Sequence, residues 1–309
     1  MIDALTTLLS SPMMQRSLLA ALIVGLTAPI IGTYLVHRRL AMLGDGIGHI
    51  SLTGVALGWL AGTFANVSPA DSWAIPGAVM ISLLGAITIE LVRQSGRTSG
   101  DTALAMLFYG GIAGGVLLIG LAGGTSAQLN SYLFGSISTV RWSDITLITG
   151  LGIAIVALGV GLAPALFSVT NDEDFARSTG LPVRTLSLLI AILSALTVAV
   201  AMRVVGSLLV SALMVIPVAI AQLGARSFRS TMAIAMALGV IICTCGLCLT
   251  YFVDLSPGAT IVVGAIGLYA IGFTIRAIVD RIRRVRRLRA ARGHNQHPER
   301  EHLAHADAS

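Results

Sequence analysis

Residues 102–123, 145–167 and 231–253 each pass without a single charged side chain. Each run exceeds the roughly 20 apolar residues that cross a bilayer core. Six further apolar runs, at 17–36, 43–62, 74–92, 185–202, 204–223 and 258–275, bring the candidate spans to nine. Only Arg203 separates 185–202 from 204–223, so that pair reads either as two spans with a tight turn or as broken helices lining a cavity. The expected count is therefore eight to ten. In hydrocarbon every backbone N–H and C=O must be satisfied within the protein, and a helix does this within one segment. The predicted fold class is all-α: a polytopic membrane helix bundle over residues 1–275, followed by a basic, histidine-containing tail over 276–309 whose polar composition predicts disorder.

Charge is scarce, at 11% of 309 residues, and unevenly placed. All twenty cationic side chains are arginine. A chain without lysine cannot form a Schiff base or build a Walker A phosphate loop, so it hydrolyses no nucleotide through a P-loop of its own. Residues 1–275 carry 11 Arg against 10 acids, and residues 276–309 carry 9 Arg against 4. Nucleic-acid binding calls for a basic face on a folded domain, which this distribution excludes. Arginine marks the cytoplasmic side of a membrane. With the tail placed there, Arg38, Arg39, Arg93, Arg97, Arg177, Arg184, Arg226, Arg229 and the nine tail arginines fall inside, and only Arg16, Arg141 and Arg203 fall outside. The C-terminus is thus expected in the cytoplasm and, with nine spans, the N-terminus outside. Residues 1–16 lack a basic n-region, so the first span is expected to be retained.

The second span reads Leu43-Gly44-Asp45-Gly46-Ile47-Gly48-His49. On a helix Asp45 and His49 lie about 40° apart, while Gly54, Gly58 and Gly62 fall about 180°, 220° and 260° from Asp45. This predicts a helix packed on a neighbour through its glycines, with the ionisable pair turned to a cavity. Ionisable side chains within membranes are costly and usually functional. A carboxylate with an imidazole suits zinc or manganese. The competing reading pairs Asp45 with Arg38 or Arg39 at the membrane interface. Two donors are too few for zinc, and a homodimer meeting on this face would supply two of each.

Loop 168–184 predicts a short helix outside the membrane. Thr170 and Glu173 have capping-box spacing, Asp172, Glu173 and Asp174 suit a helix N-terminus, and Gly180 and Pro182 stop the helix. Asp172, Glu173, Asp174, Phe175, Ala176, Arg177 and Gly180 are its candidate docking surface for a partner protein. Cys243, Cys245 and Cys248 cannot converge on one ion from a regular helix and read as small buried residues. His294, His297, His302 and His305 could sense metal. Glu90 and Asp101 flank an arginine-bearing loop and read as surface pairing.

These stretches resemble the permease subunits of zinc- and manganese-importing ABC transporters. The resemblance is carried by Arg39–Gly58 (RLAMLGDGIGHISLTGVALG), Asp101–Gly115 (DTALAMLFYGGIAGG), Leu129–Ile137 (LNSYLFGSI), Asp172–Val183 (DEDFARSTGLPV) and Val205–Gln222, and it spans roughly residues 15–275. Gly46, Gly48 and Thr53 depart from the family's usual Ala, Ser and Pro. The resemblance implies a homodimer in the plasma (inner) membrane, a separate cytoplasmic ATP-binding subunit that meets the 168–184 loop, and an extracytoplasmic metal-binding protein. It also implies that Asp45 and His49 hold the transported Zn2+ or Mn2+ in the translocation path, with no permanently bound cofactor. An ion-coupled secondary transporter, with Asp45 and His49 relaying protons or metal, is the alternative.

Overall fold

In the computed structural model the apolar runs become helices. The structure describes residues 10–295, apart from 68, 69, 97, 98, 124, 137–139, 208 and 254. In chain order the helices are α1 (Pro12–His37), α2 (Met42–Phe64), α3 (Ala74–Ser95), α4 (Gly100–Leu121), α5 (Ser126–Phe134), α6 (Trp142–Gly161), α7 (Ala163–Asn171), α8 (Glu173–Ser178), α9 (Val183–Val205), α10 (Val210–Gln222), α11 (Phe228–Phe252) and α12 (Pro257–Asn295). A 3-10 turn, Ala70–Trp73, leads into α3. No strand occurs among the described residues. The protein is an all-α, multi-pass membrane bundle in which 8 described helices (α1–α4, α6, α9, α11 and α12) are long and apolar enough to span.

Two helices depart from the sequence expectation. The candidate span 204–223 forms only the 13-residue α10, about 20 Å long against a bilayer core of about 30 Å. Gly206, at φ 88, breaks the chain between α9 and α10 in a conformation that residues with a Cβ resist. The expected run 145–167 also divides. α6 ends at Gly161, and Pro164 sits in the first turn of α7, where its missing N–H costs nothing.

α1 lies at the heart of residues 1–266, which form one compact unit. Its Ala20, Ala21, Val24, Ala28, Ile30, Ile31, Tyr34 and Leu35 are fully buried. It crosses α11 where Gly25 meets Gly239, backbone against backbone. The Tyr34 hydroxyl donates to the Gly159 carbonyl of α6 at 2.6 Å, and the Thr33 hydroxyl donates to the Pro29 carbonyl at 2.7 Å. α4, by contrast, exposes Met106, Tyr109, Val116, Leu117 and Leu121, the apolar surface a lipid bilayer covers.

Residues 267–309 form a second unit. The basic tail expected to be disordered is helical as far as Asn295, because its Arg, Ala and Leu residues favour helix. His294 lies within that helix, whereas His297, His302 and His305 lie outside the described residues.

The packing of α2 yields a contrast. A Cβ on Gly58 would collide with the Trp73 carbonyl of α3's entry turn, whereas a Cβ on Gly110 meets nothing within 4 Å. Gly58→Ala is expected to lose about 1–3 kcal/mol. That loss should appear as a lowered thermal midpoint of the detergent-solubilised protein, with Gly110→Ala unchanged.

Candidate functional site

Small residues hold α2 on three sides. Gly54 faces the Gly77 carbonyl of α3, where an added Cβ would stand 2.6 Å from the oxygen. Gly58 sits against Trp73 and Ala74, and Gly62 is buried near the helix end. A Cβ on Gly111 of α4 would fall 2.6 Å from the backbone of His49 and Ile50. On the remaining side Gly44 meets Ser211 and Met214 of α10, and Gly48 meets the Ser207 carbonyl at the α9–α10 break. Without these glycines the helices could not close around the ionisable pair.

Gly111 fixes the depth of His49. It lies 11 residues into α4 by numbering, about 16 Å along a 22-residue helix. The His49 backbone therefore packs beside the middle of α4, seven residues past the start of α2, with Asp45 one turn nearer that start. His49 is 2% exposed, and its ring lies 4.1 Å from the Phe108 ring, edge to face. His49 Nε2 is 3.8 Å from Asp45 Oδ1, and the Ser211 hydroxyl donates to the same Oδ1 at 3.0 Å. His49 Nδ1 is buried with no hydrogen-bond partner among the described residues. Asp45 is half-buried and lines a cavity of about 460 Å³ with Met42, Asp101, Leu104, Ala105, Phe108 and Tyr109. An open cavity, a carboxylate and an imidazole nitrogen suit a partly hydrated divalent cation.

Arg38, one of the two arginines that the interfacial reading offers Asp45, is engaged elsewhere. Arg38, its side chain 5% exposed, forms an ion pair with Glu173 and donates to the Ser187 hydroxyl at 3.0 Å. Arg93 bonds Glu90 at 2.8 and 2.9 Å and reaches Glu173 at 3.4 Å. Gln94 donates to Glu90 at 2.9 Å and to the Arg184 carbonyl at 3.4 Å. Burial and the neighbouring Arg93 pull the Arg38 pKa below its ordinary value, and Glu173 and Glu90 pull it back. Glu90 is thus no surface residue. At 3% exposure it anchors a network joining α1, α3 and α8, a role the sequence reading missed. The i,i+3 spacing of Glu90 and Arg93 was the available signal. Arg39, at φ 59, makes the sharp turn from this network into α2.

α8 is capped differently from the sequence expectation. Asp172, not Thr170, is the N-cap, accepting from the N–H of Asp174 and of Phe175 at 3.0 Å each. Thr170 belongs to α7, where its hydroxyl donates to the Leu166 carbonyl. Gly180, at φ 81, ends the helix. Within the expected docking set Ala176 is fully buried and Glu173 turns inward to the arginines, while Phe175, Asp174 and Arg177 stand exposed. Arg97 and Ile137 lie outside the described residues. Cys243 is buried, Cys245 exposed and Cys248 intermediate. Among the described residues no three His, Cys, Asp or Glu side chains cluster to hold a metal.

Comparison with known proteins follows the same outline. A family model described as the ABC 3 transport family matches residues 10–276. The chain is 32% identical over 266 residues to the manganese transport system membrane protein MntC of Halalkalibacterium halodurans, covering 86% of this chain and 88% of that one. It is 29% identical over 256 residues to the high-affinity zinc uptake system membrane protein ZnuB of Haemophilus influenzae, covering 82% and 94%. Among solved structures, PsaBC from Streptococcus pneumoniae in complex with Fab matches at a TM-score of 0.77 and 30% identity, covering 88% and 95%.

Breaking the network should free α8. Arg38→Ala leaves Glu173 without its buried partner, a loss that costs about 3–5 kcal/mol for fully buried pairs and less for a half-exposed Glu173. Hydrogen exchange of residues 173–178 is expected to accelerate at least about tenfold. The charge swap Arg38→Glu with Glu173→Arg should restore part of the protection.

Proposed function

The chain belongs to the ABC 3 transport family, and from that premise we propose that it is the membrane permease of an ATP-driven importer of manganese or zinc ions. The observation that carries the reading is the Asp45–His49 pair, enclosed by α2, α4 and α10, with Asp45 lining a cavity. Relatives named for manganese and for zinc transport support both metals as substrates. The chain is a transporter subunit and an integral multi-pass membrane protein, and its lack of a Walker A lysine supports ATP hydrolysis on a separate cytoplasmic subunit. Two copies of the chain line the path, and an extracytoplasmic metal-binding protein delivers the ion. A proton-relaying secondary transporter fits this family poorly.

The geometry supplies a coupling route. The ATP-binding subunit meets α8 through Phe175, Asp174 and Arg177, three exposed members of the docking set. Glu173 and Ala176 face the bundle and pass the load to Arg38 and Arg93. Arg38 stands at the α1–α2 corner, seven residues before Asp45 by numbering, so movement of α8 reaches the helix that carries the pair. Arg38, Arg93, Arg184 and α8 gather at one end of the bundle, as a cytoplasmic face rich in arginine requires. The nine arginines of residues 276–309 support a cytoplasmic C-terminus.

In a strain deleted for this chain, the wild-type gene should restore uptake of manganese or zinc. His49→Ala should hold uptake at background while the protein reaches the membrane in normal amount. Phe175→Ala should weaken co-purification of the ATP-binding subunit. Undiminished uptake by His49→Ala overturns the reading.

A further inference from the structure

The pair on α2 is incomplete as a metal site, and the structure brings a third donor to it from another helix. Ser211 sits in the first turn of α10, 166 residues further along the chain, and its hydroxyl lies 3.0 Å from Asp45 Oδ1. His49 Nε2 lies 3.8 Å from that same oxygen. Donors that share an ion at about 2.1 Å stand about 3 Å apart at an octahedral centre and about 3.4 Å apart at a tetrahedral one. The Asp45 oxygen therefore stands near ligand-to-ligand spacing from each of the other two donors before an ion arrives.

The backbone is built for this approach. The α9–α10 break is pinned on its far side, where the Ser207 N–H donates to the Tyr132 carbonyl of α5 at 2.9 Å and Gly206 abuts Leu133. On its near side Gly48 and Gly44 let Ser207 and Ser211 come against α2 with no Cβ between them. Two buried polar atoms at this level, His49 Nδ1 and Ser207 Oγ, have no hydrogen-bond partner among the described residues. Burial between helices leaves unpartnered groups costly unless the site uses them.

Resting on the reading of Asp45 and His49 as the transport pair, we propose that the Ser211 hydroxyl is the third ligand of the transported ion and sets its preference for manganese over zinc. In the ion-free site the hydroxyl donates to Asp45 and holds the carboxylate toward His49. When an ion binds, the same oxygen turns a lone pair to it. The set becomes two oxygens and one nitrogen, completed by water from the cavity that Asp101 also lines. A harder, oxygen-rich set favours manganese, and a thiolate at the same position would favour zinc. Because Ser211 belongs to a half-length helix and Asp45 to α2, the site opens whenever α10 and α2 part.

The test is competitive uptake of labelled manganese and zinc by cells carrying the complete transporter, with membrane levels of each variant matched. Ser211→Cys is expected to lower the manganese-to-zinc uptake ratio by about tenfold, and Ser211→Ala to raise the KM for manganese by about tenfold. Ser211→Thr, which keeps the hydroxyl, should retain the wild-type ratio. If Ser211→Cys and Ser211→Ala leave ratio and KM unchanged while Asp45→Ala abolishes uptake, Ser211 is no ligand. An equal loss of both metals at an unchanged ratio likewise overturns the proposal, leaving Ser211 a strut. Uptake that survives Asp45→Ala and His49→Ala overturns the underlying site instead.

Discussion

Everything about the Asp45–His49 pair depends on how closely backbones approach α2. Helices in lipid gain little from hiding apolar surface, since the lipid tails are as apolar as leucine, so association rests on close packing and hydrogen bonds. α2 is glycine-rich on opposite faces. Gly54 and Gly58 seat it on α3, and Gly44 and Gly48 admit the α9–α10 break, while Gly111 of α4 touches the backbone of His49. A helix so tightly wedged can hold a carboxylate and an imidazole between its neighbours. The cost of placing those groups away from water is offset by their partners, Ser211 and the cavity for Asp45, and the Phe108 ring for His49.

The second organising interaction lies at the arginine-rich end. Arg38, Glu173, Arg93 and Glu90 form an alternating chain of charges, part-buried, in which each group is compensated by its neighbours. Removing one partner leaves another charged and unpaired, so the network ties α8 to the bundle more firmly than apolar contact alone would. The guanidinium fork suits this task. It stays charged when buried, and it can hold two carboxylates at once, as Arg93 does with Glu90 and Glu173.

Much of this could be read from the residues, for identifiable reasons. Span number and apolar faces follow from composition, because lipid imposes one simple rule on the backbone. The i,i+4 spacing put Asp45 and His49 on one face, and a helix delivers that geometry wherever it lies. The chain's long-range choices could not be read in this way. Nothing near Glu90 announces Arg38 or Glu173, and nothing near Asp45 announces Ser211. The N-cap of α8 moved from Thr170 to Asp172 because the preceding residues extend α7, where Thr170 bonds back along its own helix. The span at 204–223 halved because Gly206, beside Leu133, takes a positive φ that no apolar count reveals.

The crossing of α1 and α11 at Gly25 and Gly239 has a mechanical consequence. Gly25 and Gly239 let the two backbones touch, with Pro29 of α1 packed beside Gly239 and with Tyr34 and His37 against Phe228 further along. A side chain added at either glycine would push the helices apart there and tilt α1. Gly25 stands 12 residues from His37, an arm of about 18 Å, so a tilt of about 10° carries that end through about 3 Å. The end that moves is the one carrying Arg38 and its grip on Glu173. The missing Cβ atoms thereby help keep Arg38 within reach of Glu173.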